Sequence, residues 1–494
     1  MAERISTQPP SSAARGRGEG AASVAGRGTL WLFLARLAFM GGGLVISILL
    51  ARALGPAVFG IYGLVMSLLT WAEFVVGSGA PGSIARLAPQ HDHDPAFARI
   101  ALGLTLAAGL AVTAVALLAS PLLTRLFGIA DGRIFPIVFL DIPLMAVVFG
   151  CHGLLYARGR LELLAAAIAL QTLVKMVGIL LVVVAGLGLL SALVAHLVGT
   201  AAALALLIAR LPVRLARPRP PVATALLAAA LPLTTYALVY QAQANLGLWL
   251  LGALGEDLRA ATGHYNAAMN VARVLTLVPA VLSSVLFAKV AEAVSRENLP
   301  LAARELRTGF RFALILLAPA VAALAADAGP VVDLLYGARF APAAAMLVWL
   351  GVAVAVTGLL DLLLQTLLAH GRHRLALAIL GGGSSVMLLT TLPLFAWFGA
   401  LGVALAMTVG IGSALLVAAV VTRRRLGGFL GPLSVSRILV ASLTLFLVLR
   451  LLDGSGMLLL AEFLLAGLGY FALLFLLREI TPAELRTLLG RERP

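Results

Sequence analysis

Three basic side chains occupy positions where charge is costly. Arg36, Lys175 and Arg273 each fall inside an apolar run of about 20 residues or more. A charge at the centre of a bilayer costs ~2.5–3.5 kcal/mol on insertion scales, so each calls for a purpose. Arg273 is ten residues into its run, which is ~15 Å at 1.5 Å per residue, close to a bilayer midplane. Asn266, Asn270 and Arg273 are spaced i, i+4 and i+7 and share one helix face. A guanidinium on such a stripe can grip paired phosphate oxygens through two parallel hydrogen bonds, which an ammonium cannot reproduce. Lys175 lies mid-run with Gln171 one turn earlier. Arg36 is near the start of the first run, either a cavity group or a side chain that snorkels to the interface.

Acidic and polar groups accompany them. Glu73, Asp141, Asp361 and Glu462 also lie within apolar runs. Arg36 and Glu73 are equidistant in sequence from the turn of the first hairpin, so they are expected at one depth on adjacent helices. Such a pair either takes part in ion coupling or neutralises both charges structurally. Asp361 and Gln365 are one turn apart, which suits a cation or proton site. Asp141 and His152 fall on nearly one face of their helix, as a proton relay or as polar packing. Tyr236, Tyr240, Gln243 and Gly247 share a face, and their rings either stack on sugars or pack at an interface. Thus Glu73, Asp361 and Asp141 are the ion-coupling candidates. His91-Asp92-His93-Asp94 contains an Asp-x-Asp, but no nucleotide-binding domain surrounds it, so it reads as a solvated loop. No metal site or cofactor is expected.

The elements that must hold these groups are membrane helices. Hydrophobic residues make up 62% of the 494 positions and charged residues 12%. Runs of ~20 apolar residues suffice to cross a ~30 Å hydrocarbon core. Backbone polar groups in lipid must be satisfied within the segment, so the runs are helices. The expected fold is an all-α integral membrane protein with about fourteen spans: 29–53, 58–80, 97–120, 134–156, 161–186, 188–211, 223–252, 263–288, 308–328, 343–369, 375–397, 399–421, 435–452 and 457–477. Residues 1–28, rich in Ser, Gly, Pro and Arg, read as a disordered cytoplasmic tail, with 212–222 a cytoplasmic linker and 478–494 a second tail.

The net charge of +15 does not indicate nucleic acid, because the basic residues sit in short loops. Apart from Arg36, Lys175 and Arg273, the Lys and Arg residues divide 27 to 6 between the two sides, which places both termini in the cytoplasm. The single cysteine, Cys151, allows no intrachain disulfide. No phosphate-loop motif is present, and no loop is long enough for a soluble catalytic domain, so an enzyme is not expected.

The chain also repeats. Gly60-Ile61-Tyr62 and Gly263-His264-Tyr265 are offset by 203, and Leu126-Phe127-Gly128 and Leu335-Tyr336-Gly337 by 209. Gly159-Arg160 and Gly371-Arg372 are offset by 212, and the Gly188/Gly199 and Gly399/Gly410 pairs by 211. Six helices per period give both copies the same orientation. Two six-helix lobes, 29–211 and 223–421, related by a pseudo-twofold axis normal to the membrane, are therefore expected, with two helices in 422–477 appended.

Several segments resemble a known family. Leu50–Tyr62 (LARALGPAVFGIY), Gly263–Asn270, Leu334–Ala341 (LLYGARFA), Leu364–Arg374 (LQTLLAHGRHR) and Phe398–Gly402 are similar to O-antigen (Wzx-type) oligosaccharide flippases. These belong to the superfamily that also holds lipid II flippases and MATE exporters. The resemblance implies transport of a polyprenyl-diphosphate-linked oligosaccharide across the bacterial inner membrane. Its pathway would be surface polysaccharide biosynthesis, lipopolysaccharide or exopolysaccharide, alongside glycosyltransferases and a polymerase. Lipid II flippases rely on cavity arginines in their first and eighth helices, which Arg36 and Arg273 match by helix. The substrate-binding set is thus Arg273, Lys175, Arg36, Asn270, Asn266, Gln171, Tyr240 and Gln243. A MATE-like cation-coupled exporter is the alternative, and an integral-membrane saccharide polymerase or ligase a more distant one. Reporter fusions test the topology. A reporter at the C-terminus is expected to show cytoplasmic activity, and one near Gly55 periplasmic activity; the reverse at the C-terminus overturns the charge count.

Overall fold

The computed structural model describes residues 12–91, 95–211, 216, 220–426, 431–452, 454, 456 and 458–480. Residues 1–11, most of the linker, Asp92–Asp94, Asp453 and the tail from 481 lie outside the described residues. The described chain is helical throughout, in seventeen α-helices joined by short turns. Twelve helices among the described residues are long and apolar enough to cross a membrane. The first candidate, Gly28–Gln90, has 63 residues, ~95 Å of helix against a ~30 Å core, and so represents more than one crossing. The broken pair around residue 273 is outside the twelve. Two arms for the first and one crossing for that pair give about fourteen.

Helix α1 (Ser12–Gly77) begins within the segment read as a tail and bends at Gly55, whose φ of 76° and ψ of 171° lie outside the helical region. A side chain there would meet the positive-φ penalty, and Pro56 restarts the helix with its φ already set. Short α2 (Ala80–Leu87) leads to α3 (Pro95–Leu126). Then come α4 (Ile134–Phe139), α5 (Asp141–Ala157), α6 (Leu161–Val184), α7 (Leu189–Arg210) and α8 (Pro220–Ala253). Helices α9 (Arg259–Ala272) and α10 (Leu277–Ser295) are separated by the 3₁₀ turn Arg273–Thr276. The remainder is α11 (Leu299–Ala326), α12 (Ala328–Tyr336), α13 (Ala343–Ala369), α14 (His373–Phe398), α15 (Ala400–Leu426), α16 (Pro432–Leu452) and α17 (Leu458–Leu476). The gap left between the expected spans 263–288 and 308–328 is mostly helical, since α10 runs to Ser295 and α11 starts at Leu299, where Asn298 caps it by accepting a hydrogen bond from the Leu301 N–H at 3.0 Å.

Backbone contacts divide the chain into two compact units. The first comprises 1–46, 69–120 and 133–234; the second comprises 47–68, 121–132 and 235–494. In the first, Leu32, Ile84, Phe97, Leu154, Leu155, Leu164 and Leu207 build a buried core. In the second, α16 and α17 pack on α11 through Ile315, Ile438, Leu445, Tyr470 and Leu474. Tyr470 donates to the Ile315 carbonyl at 2.9 Å. Outward faces are apolar as well. Leu451 is 84% exposed and Leu118 82%, a surface suited to lipid and not to water.

The repeat landmarks have structural reasons. Gly159 and Gly371, with φ of 64° and 70°, close α5 and α13 with the same motif. Arg160 N–H bonds the Leu155 carbonyl at 3.0 Å, and Arg372 N–H bonds the Leu367 carbonyl at 3.0 Å. This 6→1 bond requires the left-handed conformation that glycine adopts freely. Gly60 and Gly263 meet each other within the second unit. A methyl group on Gly60 would lie 2.5 Å from the Arg259 carbonyl oxygen, and one on Gly263 would run into Pro56. Overpacking of this kind costs typically about 1–3 kcal/mol. Gly263→Ala is therefore expected to lower the melting temperature of the purified protein. Gly412→Ala, which meets nothing within 4 Å, should leave it unchanged or raised. An unaltered melting temperature for Gly263→Ala counts against this packing.

Candidate functional site

Arg273 sits where a helix breaks. The sequence leads to an expectation of one continuous helix over 263–288; α9 instead ends at Ala272 and the chain makes a 3₁₀ turn before α10. Pro279 is the signal, since it lies in the first turn of α10, where its missing N–H is tolerated. The Thr276 hydroxyl donates to the Arg273 carbonyl at 2.6 Å and helps to hold the turn. A 3₁₀ segment inside a helical run often marks a functional hinge.

The guanidinium is bound by amides. Its Nη2 donates to Asn245 Oδ1 at 2.9 Å, and its Nη1 to Asn270 Oδ1 at 3.4 Å. Asn270 donates in turn to Ser47 Oγ at 2.9 Å, and Ser47 bonds the Tyr336 hydroxyl at 3.1 Å. Neutral oxygens orient the guanidinium without neutralising it. A positive charge in a low-dielectric setting then remains available to an anion. Asn266 is buried, and its Nδ2 has no hydrogen-bond partner. It packs where a Cβ on Gly63 would collide with it. The stripe is thus joined at Asn270 and Arg273, while Asn266 serves the contact with α1. Asn245, on α8, was not singled out by sequence reasoning, because its meeting with Arg273 depends on the rotation of two separate helices.

A second cluster lies in the first unit. Lys175 Nζ donates to His196 Nε2 at 3.0 Å, and that ring nitrogen is 3.7 Å from Asp141 Oδ2. Thr200 donates to Asp141 Oδ2 at 3.2 Å and accepts from Gln171 Nε2 at 3.2 Å. One carboxylate oxygen each from Glu73 and Asp141, with a His196 nitrogen, lie within 4.8 Å of one another. Glu73 Oε1 and Asp141 Oδ1 are buried without hydrogen-bond partners. Because His196 accepts from the ammonium, its ring is neutral at Nε2. Two carboxylates therefore face one ammonium, and the cluster is one positive charge short. A proton or a small cation supplies what is missing. Gly199 makes room for this arrangement, since a Cβ there would strike the Lys175 stem.

Two pairings expected from sequence differ in the structure. Arg36, on an exposed face, donates to the Tyr156 hydroxyl at 2.7 Å, whereas Glu73 belongs with Asp141 and His196. Equal depth on a hairpin fixes the level of two residues but not their azimuth. Likewise Asp141 takes Thr200 and His196 from α7 instead of His152, which packs edge-on against Phe149 with centroids 6.2 Å apart. Eleven residues along one helix is ~16 Å, too far for a direct bond. His196 and Thr200, one turn apart on α7, were the residues missed.

The remaining candidates are placed in the second unit. Asp361 accepts from Ser283 Oγ at 2.8 Å and from Gln365 Nε2 at 3.4 Å. Tyr236 and Tyr240 stack on each other at 6.3 Å, with the Tyr236 hydroxyl buried and unpartnered. Gln243 is buried against Gly383, and Gly247 receives the ring of Tyr265.

This is a helical membrane protein with polar and charged groups held inside its two units. Residues 49–345 match the family model described as polysaccharide biosynthesis protein, and the chain belongs to that family. No curated protein sequence matches. Among solved structures, a lipid II flippase MurJ in an inward closed conformation superposes with a TM-score of 0.77 at 15% identity, covering 91% of this chain and 99% of that one. An inward-facing multidrug resistance MATE transporter of the MOP superfamily gives 0.66 at 18% identity, covering 78% and 94%. A MOP superfamily transporter from Pyrococcus furiosus, described as having a reversed binding-pocket polarity, gives 0.55 at 16%, covering 82% and 96%. The fold is the one seen in these lipid II flippase and MATE structures.

The charge balance of the first cluster is testable. Removing one partner of a buried pair typically costs about 3–5 kcal/mol. Lys175→Met is thus expected to lower the melting temperature strongly, and adding Asp141→Asn to recover part of the loss. If the double variant is no more stable than the single one, Lys175 and Asp141 are not electrostatically linked.

Proposed function

We propose that the chain is a secondary transporter that moves a polyprenyl-diphosphate-linked oligosaccharide from the cytoplasmic to the periplasmic leaflet of the bacterial inner membrane. It works by alternating access and serves surface polysaccharide biosynthesis. One observation carries this reading: in a member of the polysaccharide biosynthesis family, the guanidinium of Arg273 is oriented by Asn245 and Asn270 and, among the described residues, is bonded to no carboxylate. Such a group is preorganised for the diphosphate of a lipid-linked saccharide, and its planar fork fits two phosphate oxygens together. Lys175 and Arg36 would add charge along the path. The sugar would meet side chains such as Tyr240 and Gln243. Alternation would act through the repeats at 29–211 and 223–421, both termini staying in the cytoplasm.

The unbalanced cluster of Glu73, Asp141, Lys175 and His196 fits the coupling role. Binding and release of one proton or small cation would shift the equilibrium between states only if its affinity differs between them. The same cluster favours a second reading, a cation-coupled small-molecule exporter. Proteoliposomes distinguish the two. Movement of a lipid-linked oligosaccharide without export of small organic cations supports the flippase, and the converse supports the exporter.

Arg273→Ala is expected to abolish surface polysaccharide export while the protein remains in the membrane at normal abundance. Arg273→Lys should restore export only in part, since an ammonium lacks the paired geometry. Wild-type export by a normally abundant Arg273→Ala variant removes Arg273 from the substrate path.

A further inference from the structure

A pocket at the basic end of the second unit has no place in the transport reading. Its volume is about 310 Å³, and it is lined by Leu299, Thr366, Leu367, His370, Arg372, Thr422 and Arg425. Four helix ends converge there. Leu299 opens α11, His370 follows the last residue of α13, Arg372 caps the start of α14, and Thr422 and Arg425 lie in the last two turns of α15. His370 and Arg372 come from the LLAHGRHR segment and flank Gly371, whose cap closes α13.

Part of this charge has a general cause. Arg423, Arg424 and Arg425 close α15, and cations at a helix C-terminus offset its dipole. That does not account for the buried polar atoms in the pocket wall. Thr422 is fully buried, and its hydroxyl has no hydrogen-bond partner. A threonine within a helix ordinarily bonds the carbonyl one turn back, as Thr366 does with Leu362 at 3.0 Å. The His370 ring bonds the Thr366 carbonyl through Nδ1 at 2.8 Å, which leaves Nε2 buried and unpartnered. An unmet buried donor or acceptor costs ~1–3 kcal/mol, and here two residues that line the pocket each carry one, while Arg372 and Arg425 also line it.

We propose that this pocket binds a phosphate-class anion. Arg372 and Arg425 supply charge, the Thr422 hydroxyl donates to one oxygen, and His370 Nε2 accepts from a protonated phosphate oxygen. Acceptor-rich tetrahedral oxygens meet both arginines and both orphaned atoms at once, which a carboxylate or a halide does not. The anion has two sources, free phosphate or the head group of an anionic lipid. The proposal stands on this pocket alone and is independent of Arg273.

The test uses the full-length protein in phosphatidylcholine nanodiscs. Its melting temperature is followed with added inorganic phosphate, and separately in nanodiscs containing phosphatidic acid. Ligand binding to the native state raises the melting temperature saturably. A response to inorganic phosphate assigns the free anion, and a response to phosphatidic acid alone assigns the lipid. In either case Thr422→Val and Arg372→Gln/Arg425→Gln should weaken the response about tenfold or more, as for a lost hydrogen bond to a charged group. Should a variant melt differently at the outset, native mass spectrometry of bound phosphate or phosphatidic acid gives the comparison directly. No response to either probe overturns the proposal, as does an equal response in wild type and variants.

Discussion

Hydrocarbon offers nothing to a hydrogen-bonding group, and this constraint shapes every part of the molecule. Backbone amides must close on their own helix, which is why the described residues are helical almost without interruption. Where the helix does break, at Arg273–Thr276, the freed groups are met nearby, by the Thr276 hydroxyl among others. Charged side chains obey the same rule. Arg273 is held by two amide oxygens, and Lys175 by an imidazole with carboxylates close by. In water these groups would be solvated and uninformative; in lipid their partners reveal what has been left unpaired.

The two clusters are unpaired in opposite senses. Around Arg273 the surplus is positive, because its partners are neutral. Around Glu73 and Asp141 it is positive charge that is short, since two carboxyl groups face one ammonium and a proton or small cation must complete the balance. Each cluster lies within its own compact unit.

Much of the architecture was legible in the sequence because lipid enforces it residue by residue. Length and apolarity mark the spans, and Gly55-Pro56 marks the first bend. The caps at Gly159 and Gly371 recur because one backbone geometry, used twice, demands the same residue. The site was less legible. Depth can be counted along a helix, so Arg273, Lys175 and Asp141 stood out. Partners depend on how each helix is rotated, and a sequence does not give that angle. Asn245, His196 and Thr200 went unnoticed for this reason, and Arg36 was matched with Glu73 on level alone. The break at Arg273 had a local sign in Pro279, but a proline in the first turn of a helix reads equally well inside a longer one.

The crossing of Gly60 with Gly263 has a consequence for how the protein is made. These residues are 203 positions apart, yet their backbones are in direct contact. At synthesis rates of about 5–20 residues per second, the first hairpin waits roughly 10–40 s in the membrane before α9 emerges to cover it. Throughout that interval Ser47 lacks Asn270, and Arg52 lacks the Leu334 and Leu335 carbonyls that later hold it. The hairpin must therefore be stable as a bare insertion. Gly60 and Gly63, the residues that α9 later covers, present no side chain to the lipid in the meantime.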